Sequence, residues 1–376
     1  MGEEEQPLLP GLPDDIALDC ISKIPQRFCP FLRPVCRRWR DLLTSSSFRR
    51  HRERIGTAED LIFLVQALVD AGGFLSSSAE GDSKGQNKPS SVDLRPPVYA
   101  LSMYSTSDGS WHRLSSPEPV PMFAQCTVVD EKLVLIGGWN PTTLDPVADV
   151  RILDLTTGEW RKGAPMSTAR SFFACAPVGG RIYVAGGHDG MKNALRTAEM
   201  YDLAADVWEE IPAMADERDE CRGVAVGGKF WAVSGYRTET QGRFDTAGEC
   251  YDPASGQWVK VEGVWSEEGG SASFFACEGC DVLCCVDRRG VREYRAAKGW
   301  WELAPAPAGM KGSACATAIR GGEEVFVTGL LAASGDGDGG EGYGAWVVEL
   351  ESGRWRRVQT TVGFSGFAFS AGLARM

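Results

Sequence analysis

FFACAPVGGRIYVAGG (172–187) reads as an apolar strand, a glycine turn, a second apolar strand and a closing glycine doublet. Three further stretches repeat that order: MFAQCTVVDEKLVLIGG (122–138), CRGVAVGGKFWAVSG (221–235) and SACATAIRGGEEVFVTG (313–329). Six tryptophans punctuate the same region, Trp111, Trp160, Trp208, Trp258, Trp301 and Trp355, at gaps of 49, 48, 50, 43 and 54 residues. Seven positions before each stands a large strand-forming residue: Tyr104, Leu153, Tyr201, Tyr251, Tyr294 and Val348. Two positions before each is glycine (Gly109, Gly158, Gly256, Gly299, Gly353) or, in the third unit, Asp206, where a tight hairpin needs a residue that tolerates positive φ.

Each unit therefore holds four strands in roughly 50 residues, which predicts a mainly β fold: a six-bladed β-propeller of kelch type. Indoles, each with ~150–250 Å² to bury, fill the wedges between blades. The first unit lacks a copy of the opening strand, and SGFAFSAGLARM (365–376) resembles it, so the C-terminal strand is expected to close the ring and remove a raw edge. Residues 72–97 and 334–344, rich in Gly, Ser and acids, read as mobile loops of a propeller spanning 56–376.

The chain has 376 residues, 43% of them apolar, and a net charge of −12. An acidic surface argues against general nucleic-acid binding. No apolar run suits a bilayer span, and the acidic start MGEEEQPLLP is unlike a secretory signal, so no membrane role and a cytosolic or nuclear location are expected. The twelve cysteines are then read as reduced thiols in apolar strands. Cys277, Cys280, Cys284 and Cys285 fall in strand positions without a second ligand cluster, so no metal is assigned. Three histidines, none paired with a nucleophile at suggestive spacing, point away from catalysis and imply no cofactor.

Residues 12–55 lie outside the repeat, behind a tail (1–11) expected to be disordered. They read as three helices. Asp14 is placed to cap the first, whose apolar face carries Ile16, Cys20, Ile21 and Ile24 before Pro25 stops it. A short piece spans Phe28–Leu32, and a third helix gathers Val35, Cys36, Trp39, Leu42 and Leu43 with Arg37, Arg38 and Arg40 turned to solvent. Pro34 marks a boundary at its start. A unit of this size is marginal alone and gains stability by packing on a partner.

LPDDIALDCISKIP, VCRRWRDLL and SSSF together resemble the F-box, through Leu12, Pro13, Asp14, Ile16, Ile21, Ile24, Pro25, Val35, Cys36, Arg38, Trp39, Leu42, Leu43 and Phe48. With the array behind it, the chain resembles plant F-box/kelch-repeat proteins over nearly its whole length. The resemblance implies docking on the Skp1 adaptor of cullin-RING (SCF) ubiquitin ligases, with Leu12, Pro13, Ile16, Cys20, Ile21, Ile24, Pro25, Val35, Cys36, Trp39 and Leu42 as contacts. It also implies a client protein marked for degradation, such as phenylalanine ammonia-lyase or a cytokinin response regulator. A kelch scaffold uncoupled from any ligase is the alternative. The loops after the glycine doublets nominate Trp139, Asn140, His188, Asp189, Tyr236 and Arg237 for client capture. Arg170 and Arg218, each ten residues past a blade Trp, join them.

Overall fold

The computed structural model describes residues 7–68, 97–265, 272–277, 282–296, 298–332, 342–361 and 363–376. Six four-stranded antiparallel sheets form the blades of a β-propeller. The strand Ala368–Arg375 pairs with Asp60–Ala67, so the last strand of the chain supplies the inner strand of the first blade and closes the ring. Glu59 and Met376 seal this seam with reciprocal backbone hydrogen bonds of 2.8 and 2.9 Å. The predicted loop 72–97 lies outside the described residues save for Pro97. Most of 334–344 does too, but Tyr343 and Gly344 belong to the strand Tyr343–Glu349.

The hairpin repeat explains the blade edges. Tyr104 faces Trp111, Leu153 faces Trp160, Tyr201 faces Trp208, Tyr251 faces Trp258 and Val348 faces Trp355 across the last two strands of their blades. The indoles of Trp111, Trp160, Trp208 and Trp258 donate to the carbonyls of Gln359, Ser115, Ala164 and Pro212 in the neighbouring blade, at 2.6–3.0 Å. In the fifth blade the sequence reading picks the wrong indole. Tyr294 faces Trp300, whose Nε1 donates to Val264 O at 2.7 Å, while Trp301 is 55% exposed. The turn after Tyr294 is one residue tighter, so the partner stands six positions on. Asp206, in place of glycine, holds φ +58° and uses its carboxylate to accept from Tyr201 and, at 2.8 Å, from Ala164 N of the adjoining blade.

The N-terminal module contains four helices: α1 (Asp14–Ser22), α2 (Cys29–Leu32), α3 (Arg37–Thr44) and α4 (Ser46–Arg54). The fourth is absent from the sequence reading because its polar run SFRRHRER carries little apolar period; Ser45 caps it through Phe48 N at 3.2 Å. Pro13 occupies the cap position of α1, and Asp14, in the first turn, instead accepts from Leu8 N at 3.0 Å and pairs with Arg38. The helix ends at Ser22, so Ile24 lies beyond it. Cys36 caps α3, its sulfur accepting from Trp39 N at 3.4 Å. Residues 7–11 are not a free tail. Leu8 is buried among Ala17, Ile21, Leu43 and Phe48, and its carbonyl accepts from the Trp39 indole at 2.7 Å.

Candidate functional site

Two surfaces take shape, one on each domain. On the helical module, Leu12, Ile16, Phe28, Phe31 and Val35 stand in solvent, Phe31 at 77% and Val35 at 61% exposure. The core of the module is satisfied without them, since Ala17, Ile21, Cys29, Leu43 and Phe48 already pack together. Among the residues expected to contact the adaptor, Leu12, Pro13, Ile16, Cys20 and Val35 are exposed, and Ile24, Pro25, Cys36, Trp39 and Leu42 are half-buried. Ile21 is a correction: it is fully buried, pointing into the module, and acts by holding the helices together. Phe28 and Phe31 were not singled out as contacts by the sequence reading. The short helical piece they occupy is too brief for period to say which side faces out. Five large apolar side chains exposed on so small a module point to an interaction surface.

The module is tied to the propeller by arginines. Arg27 pairs with Asp108 and donates to Ser110 Oγ at 2.9 Å, Arg33 donates to Thr157 O at 2.6 Å, and Arg49 meets Glu131 at 2.9 Å. Arg52 is fully buried and donates to Ile24 O at 2.7 Å and Thr57 O at 2.8 Å. Arg37 and Arg40 stand in solvent as the sequence implies, while the guanidinium groups of Arg27, Arg33, Arg49 and Arg52 fix the module relative to the blades.

At one mouth of the propeller the glycine doublets let the loops turn back on the inner strands. A Cβ on Gly138 would lie 2.4 Å from Met122 O, and one on Gly187 2.4 Å from Ser171 O. The entry residues Phe123, Phe172 and Glu220 occupy equivalent positions in three successive blades, each at positive φ (58°, 55° and 52°). Such backbone conformations cost on the order of 1–3 kcal/mol each and concentrate at functional positions. Here they aim Phe123 and Phe172 together, ring centroids 4.7 Å apart, with Trp139 at 5.5 Å and Phe369 at 5.4 Å from Phe123. His188 stacks on Phe172 at 5.6 Å, and its Nδ1 meets Asp219 at 2.9 Å. The other ring nitrogen of His188, like Trp139 Nε1, is buried with no hydrogen-bond partner among the described residues.

The expected client contacts divide on this geometry. Trp139, Asn140 and Asp189 are half-buried at the mouth, and Arg237 is exposed beside it, paired with Asp216. Tyr236 is largely buried, its hydroxyl 2.9 Å from Glu220. Arg170 and Arg218 are corrections. At 0% and 1% exposure they cannot touch a client. Arg170 binds Glu199 at 2.7 Å and the carbonyls of Gly186 and Thr197 at 3.0 Å each. Arg218 repeats this one blade on, with Glu249 at 3.1 Å and the carbonyls of Ser234 and Ala247 at 2.9 and 3.1 Å. Their recurrence has a structural cause: each ties the entry loop to the blade behind it. Phe123 and Phe172 are the mouth residues the sequence reading missed, although both hold the same place in the two opening copies of the repeat.

Of the four-cysteine cluster, Cys280 lies outside the described residues. Among the described residues no helix is long and apolar enough to cross a membrane.

Comparison with known proteins agrees with this architecture. A family model described as FKB95, Kelch-repeats domain, matches residues 95–326, and an F-box domain model matches residues 9–51. The chain is 38% identical to F-box/kelch-repeat protein SKIP20 of Arabidopsis thaliana, over 98% of this chain and 97% of that one. It is also 38% identical to F-box/kelch-repeat protein At2g44130 of the same plant, over 96% of this chain and 94% of that one. Among solved structures, that of YjhT superposes with a TM-score of 0.51 at 13% identity, covering 67% of this chain and 87% of that chain; this likeness concerns the fold alone. The chain belongs to the F-box/kelch-repeat family.

Proposed function

We propose that this protein is the substrate-recognition subunit of an SCF-type ubiquitin ligase. The observation that carries the reading is the exposure of four large apolar side chains, Leu12, Ile16, Phe31 and Val35, on a module whose own core is complete without them. Burying such side chains gains about 1.5–3 kcal/mol each, which is the driving force for docking a Skp1-like adaptor that in turn holds cullin and RING subunits. At the far side of the arginine clamp, Trp139, Asn140, Asp189, Arg237, Phe123 and Phe172 offer aromatic and charged anchors for a client protein.

The mechanism is proximity. Holding the client's lysines near a ubiquitin-charged E2 raises their effective concentration, and the transfer chemistry belongs to the RING and E2 partners, so this chain needs no catalytic residue or cofactor. The client class favoured by the family resemblance is a phenylpropanoid-pathway enzyme such as phenylalanine ammonia-lyase, or a cytokinin-signalling regulator, encountered in cytoplasm or nucleus. Proximity labelling with and without proteasome inhibition, followed by reconstituted ubiquitination of the captured protein, tests the reading. A client that is modified by the wild-type complex and spared when Trp139 and Phe172 are both changed to Ala supports it. Capture without any modification by the complete complex supports a scaffold instead.

A further inference from the structure

A cavity of about 390 Å³ runs between the inner strands along the propeller axis, its wall mixing apolar side chains such as Val128, Val224, Phe275 and Phe369 with polar ones. Of its polar lining residues, which also include Thr127, Ser273 and Thr317, Gln125 and Ser370 are committed, donating at 2.7 Å to Phe173 O and Ala124 O. Arg222 is different. It stands where the inner strands of the two preceding blades carry Gln125 and Ala174, and its guanidinium lies 5.6 Å over the Phe369 ring. Among the described residues it makes no hydrogen bond and has no carboxylate within 4.0 Å. Glu220, two positions earlier, whose charge favours the guanidinium, accepts from the Tyr236 hydroxyl at 2.9 Å. The contrast with the other interior arginines is plain: Arg170, Arg218 and Arg292 are each matched to a carboxylate, Glu199, Glu249 and Asp287.

The Arg222 guanidinium, set over the Phe369 ring among the inner strands, has lost part of its hydration, and burial holds its pKa below the usual guanidinium range. The planar fork recovers that loss best with a carboxylate, bound through two parallel hydrogen bonds. One unanswered cation, with no lysine in the lining, suits a single negative charge better than a phosphate dianion. The volume is that of a small-molecule site, and Phe369 and Val224 in the lining suit an apolar body beside the charge. We infer that the central channel binds a small monocarboxylate with an apolar body, its carboxylate on Arg222 and its body against Phe369 and Val224.

Titration calorimetry on the full chain tests this with 4-phenylbutyrate against its uncharged amide, 4-phenylbutyramide. The carboxylate is expected to bind saturably and at least tenfold more tightly than the amide, and R222M is expected to bring it down to the amide's level. The melting temperature of ligand-free R222M should not fall below that of the wild type, since no partner is stranded by the change. Equal or absent binding of both probes to the wild type overturns the inference, and that comparison needs no variant. So does an R222M protein that keeps the preference for the carboxylate. An acetylated acidic peptide that binds through Arg222 where 4-phenylbutyrate does not would also overturn it, assigning the channel to the client.

Discussion

Arg52 and Glu59 meet inside the joint between the helical module and the first blade, Arg52 Nη2 lying 4.0 Å from Glu59 Oε2 with both side chains buried. Glu59 also accepts from Gln26 N at 3.0 Å and from Ser107 Oγ at 2.9 Å, so one carboxylate touches the module, the blade and the cation between them. Removing the cation strands the acid and two carbonyls in a buried site. Arg52→Met is expected to destabilise the fold by about 3–5 kcal/mol in urea denaturation. It should also loosen the joint, read as new proteolytic cleavage near residues 55–59. Unchanged stability would show that Arg52 does not brace the joint.

Arg170 gives a parallel prediction within the blades. Arg170→Met leaves Glu199 buried, although the carboxylate keeps its bond from Ser167 N at 2.8 Å. The loss expected in chemical denaturation is again about 3–5 kcal/mol, and the double variant Arg170→Met, Glu199→Met should recover most of it. A simple client-contact role for Arg170 predicts no stability change.

The neighbouring tryptophans of the fifth blade separate register from motif. Trp300→Ala removes a ring packed on Trp265, Phe274 and Tyr294 and is expected to cost about 2–4 kcal/mol. Trp301→Ala, on a largely exposed side chain, should stay within about 0.5 kcal/mol by the same measurement. The reverse order would place the blade in the register that the seven-residue spacing suggests.

Thiol chemistry follows burial. Burial pushes the Cys175 and Cys315 thiols up to about 12, so at pH 8 only on the order of one in ten thousand is thiolate. Native labelling with iodoacetamide at pH 8 should modify the exposed Cys20 first and Cys175 and Cys315, held as thiols, far more slowly, the difference closing on unfolding, as mass spectrometry would show.

Acid stability has a nameable contributor. Burial works to raise the Asp154 pKa, but hydrogen bonds from Thr156, Thr157 and Lys132 outweigh it and hold the carboxyl at about 2. A depressed folded value means stability that is present above the unfolded pKa near 4 and is lost as pH falls from about 4 to about 2. Asp154→Asn should be less stable than wild type at pH 7, with a shallower loss across that window in melting experiments.

The blades were legible in the sequence because strand period, turn glycine and indole recur at fixed offsets, and the closing strand because the first unit visibly lacks one. What escaped was decided by contacts remote in sequence. Glu199 and Glu249 lie about thirty residues from the arginines they bury, and nothing local to Arg170 or Arg218 announces an interior charge. Trp301 was chosen over Trp300 because a one-residue change in a hairpin leaves composition untouched. The fourth helix and Arg52 were hidden in a polar run whose only local signal is the Ser45 cap. At the mouth, Phe123 and Phe172 read as strand residues until their positive φ turns them toward each other.

The most direct test of the receptor reading is affinity between the purified full chain and a Skp1-like adaptor, measured by titration calorimetry. The account predicts a saturable one-to-one complex with the wild type, at least a hundredfold weaker binding for the double variant Ile16→Asp combined with Val35→Asp, and an unchanged far-ultraviolet spectrum for that variant. A folded wild-type protein that fails to bind the adaptor, or a double variant that binds as well as wild type, would contradict it.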